Sequence, residues 1–219
     1  MGMTMSWIFR SFLAAGLACA GAAAKADTII ETPSTAVAGS FISEYDNALA
    51  PLQFVKFCMN YGAECEQDAT TDQQTLPSGD RARDMLREVN RAVNDAITPM
   101  KKPTSPMLAH WTVSPDAGDC NDYAVTKRHR LIAMGWPRSA LRLAVVLTEG
   151  GQGHLVLVAR MSDGDVVLDN LSSSVRPWST AGYQWISMQS GSNPRFWVTI
   201  GEHGAHLRAS RLASARTPS

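Results

Sequence analysis

The rhythm of apolar and polar residues along this chain changes from helical to strand-like near residue 140. Upstream, Met85, Leu86, Val89, Ala92, Val93, Ala96 and Ile97 recur three and four apart, which is one face of an amphipathic helix. Pro99, Pro103 and Pro106 forbid its continuation, because proline lacks the N–H and clashes with the preceding turn. A second helix is predicted from Cys120 to Met134. Asp119 suits its N-cap, Asp122 completes a capping box with Asp in place of the usual Glu, and Gly135 before Trp136-Pro137 ends it. Earlier still, "EYDNALAPLQFVKFCMNYGAEC" reads as one or two short helices ending at Gly62.

Downstream the pattern is β-rich. "LRLAVVLTE" (Leu141 to Glu149), "HLVLVARM" (His154 to Met161) and "VVLDN" (Val166 to Asn170) are joined by "GGQG" and "SDGD", which are hairpin sequences. "YQWISMQS" and "RFWVTI" supply two further strands. From Gly201 to Ser219 the Ala, Ser, Arg and His residues show no period, and a disordered tail is expected. Helices followed by a run of antiparallel strands predict an α+β fold over residues 41–200, with the second helix packed on the sheet.

Composition then narrows the class. The chain has 219 residues, enough for one domain with a real core, and 45% of them are hydrophobic. Lys+Arg and Asp+Glu both total 20, so there is no bulk pull toward nucleic acid or an anionic membrane. Residues 1–26 carry Arg10, an apolar run of small residues and "AKA" (Ala24 to Ala26), the layout of a secretory signal peptide with cleavage before Asp27. The apolar run is short for a membrane anchor. Gly16 stands where a lipoprotein signal at Cys19 would want Leu. Asp27 to Ser40 is a small, polar leader. A periplasmic or secreted protein is expected, with no stable membrane anchor after cleavage.

Export changes how the cysteines read. The mature chain keeps Cys58, Cys65 and Cys120, and an odd count in an oxidising compartment leaves one thiol free. Cys58 and Cys65 enclose a short segment with Gly62 to turn on, which favours a disulfide between them; the alternative joins either one to the distant Cys120. The local pair leaves Cys120 in the first turn of its helix, where unpaired N–H groups and the helix dipole favour a thiolate. Asp119 and Asp122 oppose this unless they point away, are neutralised or serve as caps.

A nucleophilic cysteine needs a base. His203 and His206 lie in the tail, and His129 falls in the basic face "KRHR", expected to be solvated. His110 sits in the proline-rich loop, and His154 opens a strand directly after "GGQG". Asp169 ends the next strand, where its carboxylate would reach the imidazole if the hairpin register cooperates. Nucleophile, base and orienting acid form the generic set for acyl transfer.

"GDCNDYA", "GHLVLV" and "LDNL", in that order and spacing, resemble the bacterial transglutaminase-like cysteine proteinases over about Trp111 to Trp178. Trp111 and Pro115 resemble the Trp and Pro that precede the cysteine motif in that family. The resemblance implies a papain/transglutaminase-like core with Cys120 as nucleophile, His154 as base and Asp169 as orienter. A cell-surface or periplasmic protein would be the substrate. In one member of that family acidic residues around the cysteine bind calcium, but Asn121 replaces the Glu of the usual Asp-Cys-Glu-Asp motif. Asp119 and Asp122 then form at most a weak calcium site, and no cofactor is expected to be required. The backbone N–H of Cys120 and the indole N–H of Trp111 are candidate oxyanion donors. Three alternatives stay open: acyl transfer to an amine, hydrolysis of a cell-wall peptide, and a binding domain that kept the fold without catalysis.

Overall fold

The computed structural model describes residues 40–69, 75–101 and 109–215. The expected signal peptide and almost all of the leader lie outside the described residues. In chain order the elements are β1 (Glu44–Ala48), α1 (Leu52–Asn60), α2 (Asp80–Ala96), β2 (Thr98–Pro99), β3 (Ala117–Gly118), α3 (Cys120–Ala133), β4 (Leu141–Leu147), β5 (Gly153–Met161), β6 (Gly164–Leu168), β7 (Arg176–Pro177), β8 (Gln184–Gln189), β9 (Trp197–Ile200) and α4 (Gly201–Ala215). Seven strands form one antiparallel sheet in the order β1-β9-β8-β4-β5-β6-β7, and β2 and β3 make a separate parallel pair. This is the α+β organisation that the change of period predicts.

The interior strand β5, next to the central β4, is apolar almost throughout because both faces of the sheet are covered. Leu155, Leu157, Ala159 and Met161 join the core shared with α1, α2 and α3, while Val156 and Val158 join a second cluster with Val146, Trp185 and Met188. Phe54 of α1 packs on Trp111 and Trp197, with ring centroids 5.9 Å and 5.3 Å apart. α3 ends as its sequence predicts. Gly135 takes φ 86°, its N–H reaches the Ile132 carbonyl at 2.8 Å, and the Trp136 N–H reaches Leu131 at 3.1 Å. That pair of bonds is a Schellman motif, which satisfies carbonyls the helix leaves unpaired.

Two expectations are corrected. Glu44–Ala48 is an edge strand, not the start of a helix. Its polar sequence has little alternation, and long-range partners hold it. Glu44 Oε1 pairs with Arg142 at 2.5 Å, and the Asp46 N–H donates to Thr199 Oγ1 at 3.1 Å. The stretch from Gly201, expected to be disordered, forms α4. Ala, Leu and Arg are good helix formers even without an apolar period. Gly204 lets this helix lie close to the sheet, because a Cβ there would sit 2.6 Å from the Tyr45 ring and 2.9 Å from the Thr199 carbonyl carbon.

Candidate active site

Cys120 is the first residue of α3, and the capping box places it there. The Asp119 carboxylate accepts the Asn121 N–H at 2.9 Å, and Asp122 Oδ2 accepts the Asp119 N–H at 2.8 Å. Asp122 Oδ1 also accepts the Thr112 N–H at 2.8 Å, and Thr126 Oγ1 accepts the Ser114 N–H at 2.8 Å. The loop carrying Trp111 is thereby stitched to the start of the cysteine helix. Glycine is needed at 118, since a Cβ there would meet Asp122 Oδ2 at 2.6 Å and Asp122 Cβ at 2.7 Å. Both acids flanking the thiol are therefore caps. Burial pushes the Asp122 carboxyl above the usual carboxylate range, although its backbone donors oppose this.

The β5–β6 hairpin brings His154 and Asp169 together. Leu157 pairs with Leu168, so Asp169 leaves β6 diagonally across from His154. His154 Nε2 lies 2.8 Å from Asp169 Oδ1, and both side chains are buried. Nε2 is taken, so Nδ1 is left for the bond between His154 and Cys120. Burial alone would depress the imidazole pKa, but hydrogen bonds to Asp169 and Cys120, together with their charges, push it up to about 9. For Asp169, burial favours the neutral acid, yet donors from His154, Tyr183 and the Leu171 N–H at 3.1 Å hold the carboxyl below its usual range.

Cys120, His154 and Asp169 therefore meet, at 7%, 6% and 2% exposure. A cleft of about 290 Å³ opens beside them, lined by Pro51, Gln53, Trp111, Asn121, His154 and Leu155 among others. The Trp111 indole N–H is buried with no hydrogen-bond partner. His110 is exposed beside that loop and is not part of the His154–Asp169 pair. Cys58 and Cys65 form the local disulfide, and among the described residues Cys120 is the free cysteine.

Tyr183 joins the site although no sequence motif marks it. Its hydroxyl donates to Asp169 Oδ2, and its ring lies 5.7 Å from that of His154. Tyr183 stands at the entry to β8 and Asp169 at the exit of β6, so no local spacing links them. The basic face "KRHR" is only partly solvated: His129 is exposed as expected, but Lys127 and Arg128 are buried at 0% and 1% exposure. Arg128 Nη1 donates to the Glu64 carbonyl at 2.6 Å, and His129 Nδ1 lies 2.6 Å from Glu64 Oε1. The disulfide turn is thus clamped to the cysteine helix.

The family model for "Bacterial transglutaminase-like cysteine proteinase BTLCP" matches residues 44–205. The chain belongs to the bacterial transglutaminase-like cysteine proteinases. The solved structure of Legionella pneumophila LapG is similar at 21% identity, over 60% of this chain and 75% of that one, with a TM-score of 0.43. Its EGTA-treated form gives 21% identity, 59% and 78% coverage, and a TM-score of 0.43. The calcium-bound form gives 18% identity, 75% and 93% coverage, and a TM-score of 0.45. No curated protein matches this BTLCP chain.

Proposed function

We propose that this BTLCP member is an exported cysteine endopeptidase that hydrolyses peptide bonds through Cys120, His154 and Asp169. One observation carries the reading: a buried imidazole is bonded to a carboxylate at 2.8 Å on one side and to a helix-terminal thiol on the other. An imidazole that holds its proton up to about pH 9 beside a thiol favours the thiolate–imidazolium pair at neutral pH. The thiolate attacks the peptide carbonyl carbon, and electrons move onto the oxygen. The Cys120 N–H and the Trp111 indole N–H receive that oxyanion; the unpartnered state of the indole supports its role. His154 then gives its proton to the departing amine. It next takes a proton from water, whose oxygen attacks the thioester and releases the acid and the thiolate.

The substrate is an extended segment of a periplasmic or cell-surface protein. A disulfide at Cys58–Cys65 suits an oxidising compartment, and no described helix is long and apolar enough to cross a membrane. Calcium is not assigned a step. It takes roughly six to eight oxygen ligands. Around Cys120, both Asp122 oxygens accept backbone N–H groups, Asp119 caps its own helix, and Asn121 brings a neutral oxygen. Among the described residues no cluster of three or more His, Cys, Asp or Glu side chains is arranged to hold a metal ion. That set falls short of a calcium cage, and EGTA is expected to leave turnover unchanged.

The test compares protein termini in cells expressing the wild type, Cys120→Ala or His154→Ala. New termini are expected with the wild type and lost in both variants, with folding intact by circular dichroism. A Cys120→Ala protein that still cleaves removes the thiol from the mechanism.

A further inference from the structure

Lys127 is a lysine where the surroundings offer almost nothing to a cation. It is 0% exposed, and its Nζ has no hydrogen-bond partner. Lys127 sits seven residues after Cys120, two helical turns along α3, so the two lie on nearly the same face about 10 Å apart along the axis. α2 packs against α3 and buries Leu86, Val89, Asn90 and Val93, none of them charged. β5 brings Leu155, Leu157, Ala159 and Met161 to the same core. On its own helix Lys127 lies 5.9 Å from the Tyr123 ring centroid, and the Tyr123 hydroxyl is spent on the Ile97 carbonyl. The charge that acts on Lys127 is that of Asp169. A lysine buried at this cost for packing alone is a poor solution, since leucine or methionine would fill the space without a polar head.

We propose that Lys127 is a positioning residue of the triad, an ammonium within electrostatic reach of Asp169 whose field favours the anionic Cys120–Asp169 side of the site. The inference rests on Cys120 being the nucleophile. Burial lowers the Lys127 pKa to about 7 against the opposing pull of Asp169, so its charge is present on the acid side of neutrality and absent on the alkaline side. That asymmetry gives the role a signature. The ammonium assists thiolate formation where the thiol would otherwise take up its proton, and it leaves the loss of the His154 proton at high pH untouched. A cation some 10 Å away at an effective dielectric near 20 shifts a titration by roughly 0.5–1 pH unit after screening.

The test measures the rate of Cys120 alkylation by iodoacetamide against pH without any substrate; the acid limb reports formation of the thiolate, and the basic limb the change in its reactivity as His154 loses its proton. In Lys127→Met the acid limb is expected to move up by roughly 0.5–1 unit with the basic limb unchanged. In Lys127→Arg, which stays charged at every pH, the acid limb is expected to stay in place and the basic limb to move down. A uniform loss of rate in both variants, or profiles superimposable on the wild type, overturns the proposal. A wild-type thiol that does not react near neutral pH would instead overturn the protease reading. Lysine labelled with ¹³C at Cε decides the matter if neither variant folds. One wild-type resonance is expected to titrate near neutrality and to fall further in Asp169→Asn. Lysine signals that all titrate as in free lysine, or one that Asp169→Asn leaves unmoved, also overturn it.

Discussion

Three donors converge on the Asp169 carboxylate: His154 Nε2, the Tyr183 hydroxyl and the Leu171 N–H. Asp169→Asn keeps the shape but replaces one acceptor oxygen with an NH₂, so at least one donor meets another donor. If the amide nitrogen faces His154, the ring accepts through Nε2 and carries its proton on Nδ1, pointing at the sulfur it should deprotonate. If the amide oxygen faces His154, the Tyr183 hydroxyl loses its acceptor. Either way the negative charge that stabilises the imidazolium is gone. A hydrogen bond to a charged group is worth about 1.5–3 kcal/mol. The rise of the His154 pKa from 6.5 to about 9 corresponds to about 3 kcal/mol in all. Cys120 supplies part of that rise, so the full figure is a ceiling. Thiolate at neutral pH is therefore expected to fall by between about tenfold and a hundredfold, read as the alkylation rate of Cys120. Turnover should fall further, toward the roughly 10⁴-fold that the same substitution costs a serine-protease triad through the wrong tautomer. A folded Asp169→Asn protein whose thiol alkylates at the wild-type rate would refute the reasoning.

Trp111→Phe removes the indole N–H and leaves a smaller aromatic ring in the core; in a protein that circular dichroism shows to be folded, kcat is expected to fall by about 10²–10³, and an unaltered kcat takes the indole out of the oxyanion site. Tyr183→Phe removes one donor from Asp169, so the carboxyl should titrate higher and kcat fall by about tenfold; a ¹³C-carboxylate titration that does not move argues against the contact. Stability should depend on pH through His154. Its folded pKa lies above the unfolded 6.5, so its contribution is full below that value and is lost as pH rises through about 9. Urea unfolding of the wild type at pH 6 and pH 9.5 should differ by up to about 3 kcal/mol more than for His154→Gln, and equal differences would remove the linkage.

What was legible in the sequence follows from where the ordering forces act. α2 and the β4–β5–β6 hairpins show their periods because one continuous core fixes which faces are apolar. The start of α3 was legible because its cap is made by residues three apart. Cys120, His154 and Asp169 stood out because each sits at the end of an element that the pattern already bounded. β1 escaped because a polar edge strand is held by partners such as Arg142 and Thr199, which lie far along the chain. Tyr183 escaped for the same reason. Lys127 and Arg128 looked solvated because composition reports charge and says nothing of neighbours; Glu64, the partner of Arg128, comes from a turn sixty-four residues away.

The clamp between the disulfide turn and α3 has a practical side. Glu64 sits next to Cys65 and grips Arg128 and His129, while α1 on the other side of the bridge contributes a wall of the cleft. The three described cysteines thus ask for opposite treatment, two as a disulfide and one as a thiol. Additives routinely included to keep thiol enzymes awake will also unpick the brace, and a preparation can go quiet for want of its cross-link while the Cys120 thiol is intact.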